Sequence, residues 1–174
     1  MNNLLYEFLD FDNLKEILDS QIFNWNPTKD IPDIYPNKNE KTRISEYVQI
    51  RNKKILQQVM NCFNEANKFY NVKLNGTVSV KLQRYKSLGY MDWHIDEQYE
   101  KNKNSKKRLL TMSLLLNDDF IGGKMLVKNK QKGITEYTGP LGTAIIFPSD
   151  WLHKVEPLVE GNRNVLTAWA YGEL

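Results

Sequence analysis

Gly139-Pro140-Leu141-Gly142-Thr143-Ala144-Ile145-Ile146-Phe147-Pro148-Ser149-Asp150-Trp151-Leu152-His153 is the stretch that decides the architecture. An apolar run, Ala144 to Phe147, lies between a Gly/Pro turn and a second turn at Pro148-Ser149-Asp150, which marks a buried strand; a histidine follows directly. The pattern repeats outward. Thr77-Val78-Ser79-Val80-Lys81-Leu82 alternates, Arg108 to Leu116 is a long apolar run, and Lys124 to Val127, Ile134 to Tyr137 and Asn164 to Tyr171 complete the series. Turns at Gly122-Gly123, Lys132-Gly133 and Glu160-Gly161-Asn162 separate them. Short strands at this spacing predict an antiparallel sandwich or jelly roll, with any chemistry between its sheets.

Before Val72 the signals are helical. Asp12 or Asn13 is placed to cap a short amphipathic helix through Leu18. The spacing of Val48, Ile55, Val59, Phe63 and Ala66 predicts a longer one from about Ile44 to Phe69. Between them, Asn26-Pro27 to Asn39 reads as an extended, proline-bearing loop. The expected class is α+β, mainly β, in a single domain: residues 1–71 a helical flank, residues 72–174 a jelly-roll core.

Composition excludes more than it selects. Hydrophobic residues make up 41% and charged ones 26% of the 174 residues, as in an ordinary folded domain and not a disordered chain. A net charge of +3 is too mild to mark a nucleic-acid binder. Cys62, the single cysteine, excludes an intramolecular disulfide and suits a reducing compartment. Leu4-Leu5-Tyr6 is soon broken by Glu7, Asp10 and Asp12, so neither a secretory segment nor a membrane span is expected, and a cytoplasmic location follows.

Only two histidines occur, His94 and His153. His94-Ile95-Asp96 is a His-x-Asp on a strand-like stretch, where residues two apart share a face and can grip one ion together. His153 comes from a distant strand that a roll brings alongside. Two imidazoles and a carboxylate suit Fe(II) or another divalent first-row ion; without a thiolate cluster a structural zinc site is not expected. A lone His-x-Asp is a weak signal, and most isolated histidines are surface or satisfied core residues; it is the combination with His153 and Arg163 that points to a metal. Arg163, after the Glu160-Gly161-Asn162 turn, fits a carboxylate clamp, since a guanidinium is a fixed fork that stays charged. On a strand it would share a face with Val165, Thr167, Trp169 and Tyr171.

These motifs resemble the prolyl 4-hydroxylase-like branch of the Fe(II)/2-oxoglutarate-dependent dioxygenases. The likeness runs from Leu82 to Gly172 through Arg84-Tyr85, Gly89-Tyr90, His94-Ile95-Asp96, Arg108-Leu109-Leu110-Thr111, Gly142 to Pro148, Leu152-His153-Lys154 and Gly161-Asn162-Arg163. It implies a double-stranded β-helix preceded by helices. His94, Asp96 and His153 would hold Fe(II), and Arg163 the distal carboxylate of 2-oxoglutarate; Tyr85, Thr167 and Trp169 match pocket positions. The implied reaction uses O₂, releases succinate and CO₂, and hydroxylates a C–H bond; ascorbate is a candidate accessory reductant. The family's related halogenases lack the carboxylate, so Asp96 favours hydroxylation. Met91 stands where the family usually has a second tyrosine. Leu115 replaces a tyrosine that supports the cosubstrate in some members, which leaves Tyr85 or Thr111 to assist Arg163.

The substrate is read less directly. A peptide or protein side chain, proline-containing in the first instance, is the leading reading. Oxidation of a small metabolite or nucleobase is the alternative, and a non-catalytic jelly-roll module that binds metal or ligand a third. Residues 97–107, strongly polar and rich in lysine, are expected to overhang the pocket as a lid or as a merely solvated loop. They lack the interleaved aromatics of a nucleic-acid groove.

Overall fold

The computed structural model describes residues 5–7, 10–20, 23–28, 43–97, 107–129, 133–137 and 140–173. Its elements, in chain order, begin with β1 (Leu5–Glu7), α1 (Phe11–Asp19), β2 (Asn26–Pro27), β3 (Arg43–Ile44), β4 (Glu46–Ile50) and α2 (Lys53–Tyr70). Next come β5 (Leu74–Tyr85), β6 (Tyr90–His94), β7 (Lys107–Leu115), β8 (Ile121–Gly122) and β9 (Met125–Asn129). The last are β10 (Gly133–Tyr137), β11 (Thr143–Pro148), β12 (Leu152–Val155), β13 (Leu158–Glu160) and β14 (Arg163–Gly172). A seven-stranded sheet ordered β1-β11-β7-β14-β5-β4-β2 faces a five-stranded sheet ordered β10-β9-β12-β6-β3. Every pairing is antiparallel. This is the expected jelly roll.

Alternation along the strands sorts the large sheet into two unlike faces. Val80, Leu82, Leu110, Met112, Leu114, Ala144, Ile146, Leu166, Ala168 and Ala170 turn outward and form one core with Leu14 and Leu18 of α1 and Ile55, Val59, Cys62, Phe63 and Ala66 of α2. Their neighbours, among them Lys81, Gln83, Tyr85, Thr111, Arg163 and Trp169, turn inward and line a cavity between the sheets.

The helices differ from the sequence expectation at their starts. The periodicity that suggested a helix from Ile44 spans two elements: residues 46–50 pair with β5 as a strand, and α2 begins at Lys53. Asn52 sets that boundary, because its Oδ1 accepts from the Lys54 and Ile55 amides at 2.9 and 3.3 Å. Asn71, at φ 52°, closes the helix in the left-handed conformation. Helix α1 starts at Phe11 after Asp10, whose carboxylate accepts from Asn13 and Gln58. Residues 29–42, most of the expected proline-bearing loop, and 98–106, most of the expected lid, lie outside the described residues. At the base of the latter, Lys107 and Glu97 form an ion pair. Among the described residues no helix is long and apolar enough to cross a membrane.

Candidate active site

The two histidines meet because β6 and β12 are antiparallel neighbours with His94 directly opposite His153. Their ring centroids are 4.0 Å apart. Each Nδ1 lies against a main-chain carbonyl, that of Asp92 at 2.7 Å for His94 and that of Trp151 at 3.0 Å for His153. A carbonyl only accepts, so both Nδ1 atoms carry hydrogen and both Nε2 lone pairs are left facing the cavity.

Asp96 completes the group, though not as a strand residue. β6 ends at His94, and the two amides that follow Ile95, those of Asp96 and Glu97, both donate to the Ser149 carbonyl at 2.9 Å. The Pro148-Ser149-Asp150 turn thus ends strand pairing and bends the carboxylate back beside the imidazoles. His153 Nε2 is 3.2 Å from Asp96 Oδ2 and His94 Nε2 is 3.7 Å from Oδ1. Behind them Thr111 Oγ1 donates to Asp96 Oδ2 at 3.1 Å and takes the Ser149 hydroxyl hydrogen at 3.0 Å.

His94, Asp96 and His153 are all buried, and one potential donor atom from each lies within 4.8 Å of the others. Burial first, and the neighbouring His153 second, push the His94 imidazole down to about 3, so it is neutral and able to ligate. For Asp96 burial opposes ionisation, but the two histidines outweigh it and hold the carboxyl well below the usual range. The Trp169 indole N–H adds to that effect from outside hydrogen-bonding geometry, being buried with no partner among the described residues. Two imidazole lone pairs and a carboxylate oxygen converging in a buried space repel one another unless a cation sits between them. The donor set therefore fits a divalent ion such as Fe(II).

Arg163 opens β14 opposite Tyr85 of β5. Gly161, at φ +82°, makes the preceding turn, where a Cβ would come within 2.7 Å of the Asp119 carbonyl. A Cβ on Gly123 would approach the Arg163 Cδ to 3.0 Å. Arg163 is 5% exposed, and its guanidinium lies over the Tyr85 ring at 5.5 Å. No carboxylate among the described residues pairs with it. A buried cation without an acid is costly, and a bound carboxylate would complete it. Burial lowers its basicity, and burial likewise pushes the Tyr85 phenol up to about 12 against the pull of Arg163, so that phenol remains a donor.

The cavity is about 300 Å³ and is lined by all eight residues singled out from sequence: Tyr85, His94, Asp96, Thr111, His153, Arg163, Thr167 and Trp169. Thr111 sits against Asp96, while Thr167 donates to Gln83 Oε1 at 3.3 Å. Met91 also faces the cavity, and Leu115 packs beside Tyr85 and Val165. Sequence reading missed Ser149, Lys81 and Arg108. Ser149 had no signal beyond its turn. Lys81 had one, because alternation with Val80 and Leu82 puts it on the inward face.

Fold and site together define a jelly-roll protein whose cavity holds two histidines, one carboxylate and a buried arginine. Residues 80–171 match the 2OG-Fe(II) oxygenase superfamily, and the chain belongs to that family. It is 29% identical over 79 residues to a PKHD-type hydroxylase of Synechococcus sp. (strain CC9605), covering 44% of this chain but only 34% of that relative. The chain thus spans well under two thirds of the length of the curated relatives it matches. Among solved structures, a Pseudomonas putida prolyl-4-hydroxylase superposes with a TM-score of 0.71 at 16% identity, over 98% of this chain and 92% of that one. A Trichoplax adhaerens prolyl hydroxylase, in complex with a hypoxia inducible factor peptide fragment, gives 0.64 at 15% identity, over 98% and 84%. At such identities these two likenesses establish the fold.

Proposed function

We propose that this chain is an Fe(II)- and 2-oxoglutarate-dependent hydroxylase of prolyl 4-hydroxylase type that acts on a side chain in a peptide or protein. One observation carries the reading: a single cavity holds three acceptor atoms that need a cation and a buried guanidinium that needs an acid. His94, Asp96 and His153 would hold Fe(II), and Arg163, whose guanidinium lies over the Tyr85 ring, would hold the distal carboxylate of 2-oxoglutarate. With O₂, the bound metal and keto acid supply the oxidation and release succinate and CO₂. The protein's own work is positional. Thr111 and Ser149 fix the Asp96 carboxylate, the Asp92 and Trp151 carbonyls fix the imidazole tautomers, and buried Met91, Val155 and Val165 exclude water.

A peptide substrate is supported by the prolyl hydroxylase likenesses, one of them with a peptide in place. The lone, buried Cys62 suits a cytoplasmic setting. We read residues 1–174 as one catalytic domain, with ascorbate as its accessory reductant. Incubation with Fe(II), 2-oxoglutarate, ascorbate and proline-containing peptides should yield succinate together with a peptide heavier by one oxygen. Succinate release that no peptide stimulates would overturn the substrate assignment.

A further inference from the structure

A second set of cations lines the cavity away from Arg163. Along the paired strands β5 and β14, Arg163 faces Tyr85 while Lys81 faces Thr167, four positions further on, or roughly 13 Å at the rise of a strand. Lys81 lies over the Trp169 ring at 5.4 Å and the Tyr47 ring at 4.3 Å; the Arg108 guanidinium lies over the same indole at 4.2 Å. Arg108 also donates to the Tyr171 hydroxyl at 3.3 Å and approaches the Asp96 carbonyl at 3.5 Å. Neither Lys81 nor Arg108 has a carboxylate partner among the described residues. Asp96, the cavity's single acidic residue among those described, is committed to the ligand set.

A pocket with such an excess of one sign concentrates the opposite sign. Burial, reinforced by Arg108 and Arg43 and only partly offset by Asp96, pushes the Lys81 ammonium below its usual range, as expected where cations outnumber counter-charges. The cosubstrate does not supply one there, because one of its ends belongs to Arg163 and the other to the metal. We propose that the substrate brings its own carboxylate, which Lys81 and Arg108 bind beside the Trp169 indole while the neighbouring carbon is presented for hydroxylation. The proposal rests on the hydroxylase reading above and narrows its substrate to acidic ones. The carboxylate belongs either to an Asp or Glu side chain next to the target residue or to the free end of a short peptide.

Blocked pentapeptides centred on proline and flanked by Asp, Asn or Lys separate these cases, together with a neutral peptide left with a free C-terminus. For the iron-loaded protein with 2-oxoglutarate, kcat/KM for the Asp-flanked or free-ended peptide should exceed that for the Asn-flanked one by about 10-fold or more. The Lys-flanked peptide should be poorest. Which of the first two wins identifies the source of the carboxylate. Lys81→Met should collapse the discrimination toward unity, Lys81→Arg should retain it, and Lys81→Glu should shift preference toward the Lys-flanked peptide. Calorimetric titration of the same peptides onto the protein should rank their affinities in the same order, without any turnover. Equal use of acidic and neutral peptides by the unmutated protein overturns this proposal and leaves the hydroxylase reading standing. Calorimetric discrimination without succinate release does the reverse, and binding of no carboxylate-bearing peptide overturns the proposal outright.

Discussion

The outward and inward faces of the seven-stranded sheet are built from the same strands and differ in almost everything else. Outward, Leu166, Ala168 and Ala170 alternate with inward Val165, Thr167 and Trp169 along one strand, β14. The outward core is apolar and packed against two helices; the inward set carries hydroxyls, amides and cations without a carboxylate partner among the described residues, around a cavity. One face makes the sheet stable and the other makes it useful. A buried strand tolerates charge inward only because the helices already supply the burial that folding requires.

The contrast is broken most completely at the metal. Asp96→Ala removes the carboxylate of the proposed ligand set and should abolish succinate release and lower bound iron, measured by metal analysis, while the protein keeps its far-ultraviolet circular dichroism. Loss of folding in that variant would mean that the two faces are not separable.

On the outward face Leu166→Ala should cost about 2–5 kcal/mol of unfolding free energy in urea, because Leu166 is fully buried among helix residues. Thr167→Val, one residue along and facing the cavity, should cost less than about 1 kcal/mol, since it gives up one 3.3 Å hydrogen bond. Comparable losses would dissolve the distinction. Acid probes the inward face. His94 is held near 3 against an ordinary value of 6.5, so between those values the unfolded chain binds a proton that the folded metal-free protein refuses. Stability present above about 6.5 is therefore lost as pH falls toward 3, and the lowered Asp96 carboxyl acts in the same direction below 3.8. Urea midpoints of the metal-free protein should fall across that window, and a flat profile would refute the burial argument.

Much of this division was readable from alternation alone. Val80-Lys81-Leu82 reveals a strand and even its faces, because a period of two is a local property, and the apolar run 108–116 reveals a second strand. The helix expected from Ile44 failed for a related reason: Val48 happens to continue the spacing of Ile55, Val59 and Phe63, while Asn52, the residue that stops the strand and caps the helix, carries no hydrophobic signal. That His94 and His153 meet was inferable from the roll expected of the strand pattern, but their direct opposition was not, since strand register between residues so far apart is set by the whole sheet. The position of Asp96 depended on Ser149, whose carbonyl collects two amides, and no pattern in the chain announces that.

Arg163 sharpens the comparison in energetic terms. Arg163→Ala should weaken 2-oxoglutarate binding by about 10- to 100-fold, the loss of a charge-assisted carboxylate contact, measured as KM or by calorimetry. The same site predicts an opposite sign for stability. Replacing an acid-less buried cation by an apolar side chain of similar length, Arg163→Met, should raise the melting temperature of the ligand-free protein, whereas every truncation on the outward face lowers it.

A smaller effect than at Arg163 is expected at Thr111, which touches a proposed metal ligand, Asp96, and not the reacting atoms. Thr111→Val keeps the shape of the side chain but removes the hydroxyl between Ser149 and Asp96. The carboxylate then loses one hydrogen bond yet keeps its main-chain anchor, because the Asp96 and Glu97 amides still reach the Ser149 carbonyl. Iron affinity should drop by about 10-fold, at the low end for groups that orient metal ligands, with the KM for 2-oxoglutarate nearly unchanged. A large rise in that KM with iron affinity intact would instead make Thr111 a cosubstrate contact, shifting the boundary between ligand support and clamp to the middle of β7.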